Sequence, residues 1–127
     1  MKRDMDLVRL ILLKIEEEHI STAIYDLKIE GYSEETVAYH CQILHNAGYL
    51  FDYAGQYASG ELYAFGVGGL TWAGHEYLER IRDNSRWGKI KKLLTDKGLP
   101  FTIDMIKTIA DAYIGAIADT SIKGIRG

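Results

Sequence analysis

Few residues in this chain have types and spacings that could do chemistry. There is one cysteine, Cys41, and four histidines, His19, His40, His45 and His75. Cys41 and His45 stand four residues apart, which on a helix places a thiolate and an imidazole on the same side, as a zinc site would use them. Two ligands do not close a tetrahedral site, and Cys41 also falls in an apolar stripe, so no metal is expected. The 18 Asp and Glu residues are scattered without a spacing that singles out an acid/base pair. Gly66-Val67-Gly68-Gly69 lacks both a following Gly-Lys-Ser/Thr and a complete GxGxxG, so it reads as a strand-to-helix turn rather than a phosphate loop. Trp72, Trp87 and the nine tyrosines suit core and interface positions better than a cofactor box. The expectation is a protein without catalytic residues and without a cofactor.

Recognition is the other chemistry on offer. Arg80, Arg82, Arg86, Lys89, Lys91 and Lys92 form the one basic cluster, which would serve as a solvated helix face or as an electrostatic patch for nucleic acid or an acidic partner. Elsewhere the balance is acidic. Residues 1–67 carry five Lys/Arg against eleven Asp/Glu, and residues 68–127 carry ten against seven, so the two parts stand at −6 and +3.

The elements that must position these groups follow from periodicity and caps. The central stretch is Gly31 to Leu50. Ser33 is a good N-cap, Glu34 and Glu35 fill the first turn, and Thr36 occupies the capping-box position. Val37, Cys41, Leu44 and Ala47, with His40 at the margin, make one apolar face, and Gly48 stops the helix. Before it, residues 4–18 predict a helix with Leu7, Leu10, Ile11, Leu13 and Ile15 inward. Residues 20–29 alternate enough to predict a short strand, although a short helix is the other reading. Tyr49–Tyr53 and Leu62–Val67 predict antiparallel strands joined by a polar loop with Gly55 and Gly60 as turn residues. Thr71 caps a helix over Trp72–Asp83, with Trp72, His75, Leu78 and Ile81 on one face. Ser85 caps another over Arg86–Lys97, and Thr102 caps a last one to about Ala118, followed by a fraying tail.

The chain has 127 residues, 47% hydrophobic, with no apolar run of spanning length. Its start, MKRDMDLVRL, mixes acids with bases and is not a secretory signal. With a lone cysteine, this implies a cytoplasmic protein away from membranes.

YSEETVAYHCQILHNAGYL resembles the recognition helix of winged-helix regulators running into its wing, and LTWAGHEYLERIRD resembles the helix that follows the wing. With MKRDMDLVRLILLKIEE and NSRWGKIKKLL, these segments closely resemble domain-of-unknown-function family 2513, small bacterial and phage or prophage proteins, over roughly residues 1–100. The resemblance implies an α+β, winged-helix-like domain with a small antiparallel sheet and additional C-terminal helices. The chain would be one compact domain, with its core at 1–83 and 84–127 a helical extension whose apolar last helix packs on it or forms a homodimer seam. It places His40 and His75 at partly buried positions and turns Glu35, Thr36, Ala38, Tyr39 and Gln42 toward a target. Gln42 could then read adenine, and Tyr39 a phosphate or a thymine methyl.

Two functions follow. One is a phage-type regulator that binds DNA through helix 34–47 and the basic patch at 80–92. The other is an interaction module that binds or inhibits a host regulator, replication or defence protein. The acidic helix start and the absence of Lys or Arg from the wing weigh against the first, which leads narrowly on the resemblance rather than on charge.

Overall fold

The computed structural model describes residues 1–126, with side chains described through Thr120. The fold is α+β: five helices and a three-stranded antiparallel sheet. Two compact units divide between Leu78 and Glu79, inside the third helix.

In the first unit, α1 (Met5–Glu18) begins at Asp4, whose Oδ1 accepts from the amides of Asp6 and Leu7 at 2.9 and 3.2 Å. Its buried side is Met5, Leu7, Val8, Ile11, Leu12 and Ile15, while Leu10 is exposed. The stripe is thus rotated from the expected one toward Val8 and Leu12.

β1 (Ile24–Tyr25) pairs antiparallel with β3 (Glu61–Val67), placing Ile24 opposite Val67 and Tyr25 opposite Gly66. Within the segment 20–29, only Ile24–Tyr25 is strand, and the rest is irregular. The backbone N–H of Asp26 donates to the Phe65 carbonyl at 2.8 Å, and Asp26 Oδ1 accepts from the Phe65 amide at 2.9 Å, which extends the pairing by one residue. Gly31, at φ 87°, then turns the chain toward Ser33. No helix precedes α2 in this segment: Ile24–Asp26 pair with β3, and the residues on either side are irregular.

α2 (Glu34–Asn46) starts with Ser33 Oγ accepting from the Thr36 amide at 3.2 Å. Val37, Ala38, His40, Cys41 and Leu44 are buried. His40 lies fully inside rather than at the margin, and Ala47, expected inward, is an exposed C-cap. Gly48, at φ 89°, donates to the His45 carbonyl at 3.0 Å, and Tyr49 donates to that of Leu44 at 2.9 Å. These two bonds make a Schellman stop.

The hairpin departs from its expected form. β2 spans Tyr53–Ala58, so only Tyr53 of the anticipated strand Tyr49–Tyr53 is paired in it, and Leu50 makes a single bridge to Leu70. The turn is two residues, Ser59 and Gly60, with φ of 54° and 82°. That is the left-handed pair a tight hairpin needs. Gly55 is a strand residue, opposite Phe65. Its small size hid the strand, and a Cβ there would lie 2.9 Å from Tyr53 Oη and 3.0 Å from Tyr57 Cε2, so the two rings close over the bare backbone. Register shifts between Gln56–Ala64 and Tyr57–Leu62, leaving Tyr63 as the extra residue of a bulge.

α3 (Trp72–Ile81) is capped by Thr71, whose Oγ1 accepts from the Gly74 amide at 3.2 Å and donates to the Gly48 carbonyl at 2.6 Å. Gly74 lies against the carbonyl of Tyr49, where any Cβ would collide. That approach sets the helix phase. Gly74, Tyr77, Leu78 and Ile81 are buried, whereas Trp72, expected inward, is 80% exposed and His75 also faces solvent.

In the second unit, α4 (Asn84–Lys97) is capped by Asp83, not Ser85, through a 2.7 Å bond from the Arg86 amide to Asp83 Oδ1. Trp87, Ile90 and Leu94 form its buried side. α5 (Ile103–Arg126) begins at Thr102, passes the expected end at Ala118, and buries Ile106 and Ala110. The tail from Thr120, expected to fray, continues the helix to Arg126, and the side chains of residues 121–127 lie outside the described residues.

The glycines yield a paired expectation. Gly74→Ala should cost about 1–3 kcal/mol by forcing α3 off the Tyr49 carbonyl. Gly88→Ala, in α4 with open space around its Cβ, should stabilise by about 0.5–1 kcal/mol. His40→Ala should cost about 2–4 kcal/mol by leaving the part-buried Asp4 amide without its acceptor and a hole where the fully buried ring sat, whereas His45→Ala should stay within about 0.5 kcal/mol. Urea unfolding of the four variants checks all of these.

Candidate functional site

Cys41 and His45 do not form a site. Cys41 is completely buried, and burial pushes its thiol up to about 12. His45 is half-exposed. Among the described residues no three His, Cys, Asp or Glu side chains come together in a way that could hold a metal ion. His40 is spent on structure: its Nε2 accepts from the Asp4 amide at 2.8 Å, and its Nδ1 lies 2.8 Å from the Thr36 carbonyl. His75 Nδ1 stands 3.9 Å from Glu16 on the surface.

The residues of α2 expected to face a target divide. Thr36 is used locally, its Oγ1 2.8 Å from Ser33 Oγ. Ala38 is 2% exposed, an inward residue rather than a contact. Glu35, Tyr39 and Gln42 do converge, and they meet the hairpin tip. Together with Ala38, Tyr57, Gly60, Glu61 and Leu62 they line a cleft of about 370 Å³. Tyr57, Glu61 and Leu62 were not anticipated as its opposite wall. The signal available for them was the loop with Tyr57 and Glu61 and no Lys or Arg, but the spacing predicts a loop where β2 stands.

Two features hold the walls. Tyr39 packs edge-on against His40 with ring centroids 5.7 Å apart. Tyr57 folds over Gly55 beside Tyr53, whose hydroxyl is buried and whose pKa is raised, chiefly by desolvation and then by the neighbouring Tyr57 hydroxyl. The cleft carries two carboxylates and no cation. From Ile29 to Glu79 the chain holds seven Asp/Glu and no Lys or Arg.

The basic cluster belongs to the second unit, and its members are largely committed there. Arg80 Nε donates to Asp111 at 2.6 Å, Arg82 Nη2 to Glu79 at 2.8 Å and Lys92 Nζ to Asp96 at 3.0 Å. Lys89 donates to the Tyr113 hydroxyl at 2.7 Å, which raises its pKa, and Lys91 lies over the Trp87 ring, 5.7 Å from its centroid. The Nε of Arg86 is buried. Surface pairs of this kind open readily, but a phosphate contact by Arg80, Arg82, Lys89 or Lys92 would displace an existing partner.

The Cys41 environment makes a pH-dependent prediction. In the unfolded chain the thiol ionises near its ordinary 9.0, while in the fold it stays neutral to about 12. Its contribution is therefore constant below pH 9 and is lost as pH rises beyond, by up to about 1.4 kcal/mol per pH unit. Cys41→Ala should flatten that part of an alkaline stability profile, and the native thiol should resist a disulfide-exchange reagent at pH 8 until denaturant is added.

No helix among the described residues is long and apolar enough to cross a membrane. The family model of hypothetical proteins DUF2513 matches residues 2–100. A protein of Haemophilus influenzae, named only as uncharacterized, is 36% identical over 115 residues, covering 90% of this chain and 96% of that relative. No solved structure matches significantly. Matched over most of its length by that model, the chain belongs to the DUF2513 family.

Proposed function

We propose that the protein is a non-enzymatic binding module that recognises another protein with α2 and the β2–β3 hairpin. The observation that carries this reading is the charge of that face, which lies within a stretch of seven acids and no base from Ile29 to Glu79. Duplex DNA presents one negative charge per about 1.7 Å of axis, and α2 would approach it with Glu34 and Glu35 leading. At about 7 Å in water two unit charges repel by only about 0.6 kcal/mol before screening, so no single glutamate forbids docking. What tells against it is the lack of any compensating cation on helix or hairpin. A helix-turn-helix reader also braces its second helix with a first that crosses the backbone, and here a strand and a turn occupy that stretch.

A DNA-binding regulator is the second reading, supported by Tyr39 and Gln42 standing half-exposed on the outward side of α2. In either case the family resemblance fits a small phage- or prophage-type regulatory protein. Its protein target would be a host regulator, replication or defence factor.

On a duplex-DNA column at about 50 mM salt the protein should pass through. A photo-crosslinker replacing Tyr39 should trap a protein in nuclease-treated extract of the organism that encodes it. Retention on the column that salt releases, and that Lys89→Glu, Lys91→Glu and Lys92→Glu abolish together, would overturn the proposal in favour of the regulator.

A further inference from the structure

The geometry points to the cleft between α2 and the hairpin tip as a receptor for an arginine side chain of the partner, an inference that rests on the protein-binding reading above. At about 370 Å³ the cleft lies at the small end of ligand pockets, which run from roughly 300 to 1,000 Å³. It has room for one long side chain.

The walls are chemically matched to a guanidinium. Glu35 and Tyr39 stand on α2, Glu61 and Tyr57 on the hairpin, and Gln42 adds an amide oxygen. Each wall thus carries one carboxylate and one ring. A guanidinium uses both at once, with its planar faces on aromatic rings and its fork of N–H groups on carboxylates. Among the described residues neither Glu35 nor Glu61 forms an ion pair, so their charge is available to a ligand. Tyr39 lies edge-on to His40, and Tyr57 lies over Gly55. A lysine ammonium would satisfy the carboxylates, but as a hydrated point charge it would gain less from the rings. An acidic or phosphorylated segment would meet two carboxylates with like charge.

The test is an amide NMR titration of the full chain with Gly-Arg-Gly capped at both ends, beside the capped Gly-Lys-Gly and Gly-Glu-Gly peptides. The arginine peptide should shift signals of residues 35–42 and 57–62 saturably. The lysine peptide should bind about fivefold more weakly, and the glutamate peptide should not saturate. The Glu35→Gln, Glu61→Gln double variant should bind the arginine peptide about tenfold more weakly with its spectrum otherwise unchanged. Equal binding of the lysine and arginine peptides, saturable shifts elsewhere, or no saturation would each overturn the assignment. A silent arginine peptide with the Tyr39 crosslink to a protein intact defeats the cleft assignment alone. Duplex DNA that saturably shifts the same signals defeats the protein-binding reading itself.

Discussion

Asp4 and His40 form the contact on which the rest of the first unit depends. The Asp4 amide donates to His40 Nε2 at 2.8 Å, so the imidazole must carry its proton on Nδ1 and donate it to the Thr36 carbonyl. The same aspartate caps α1 through Oδ1 and accepts the Tyr32 hydroxyl on Oδ2 at 3.2 Å. One residue thereby fixes where α1 starts, how α2 is rotated about its axis, and where the turn leading into α2 runs. With α2 pinned in that phase, Val37, Cys41 and Leu44 go to the core. Glu35, Tyr39 and Gln42 are left on the side that faces the hairpin.

The far end of α2 is fixed by backbone rather than by side chains. Gly48 ends the helix, Thr71 bonds its carbonyl, and Gly74 brings α3 onto the carbonyl of Tyr49. The hairpin leaves from this junction, and its cross-strand bulge at Tyr63 reorients the tip. The acids at the start of α2 are favourable in the fold as well, because they sit at the positive end of the helix dipole. A negative face there costs the fold little, which leaves it free to serve recognition.

Much of this was legible in the sequence where local chemistry is decisive. Ser33 and Thr71 announce helix starts, Gly48 a helix end, and the alternation around Ile24 a strand, because each acts within a few residues. What could not be read was set by contacts distant in sequence. Trp72 carries the strongest apolar signal of its helix, yet Gly74 meeting Tyr49 rotates it into solvent. Gly55 looks like a turn residue until the rings of Tyr53 and Tyr57 are seen to close over it. The α2 half of the cleft was anticipated through Glu35, Tyr39 and Gln42. The hairpin half was not, since it required knowing that the strands run on to Ser59 and Gly60.

A helix and a hairpin in this order are found with many functions, so the site, not the arrangement, must carry the functional argument. A helix that reads DNA has to stand proud enough to enter a groove about 12 Å wide. On α2 the outward side is half-enclosed instead: Tyr39 and Gln42 are only partly exposed, and Leu62 of the hairpin faces them across the cleft. The surface offered is concave, aromatic and anionic. Concavity disfavours insertion into a groove, and negative charge disfavours a phosphate backbone. Both favour taking in a protruding cationic side chain. Shape and charge therefore argue in the same direction, and they do so through the residues of α2 that the Asp4–His40 contact turns outward.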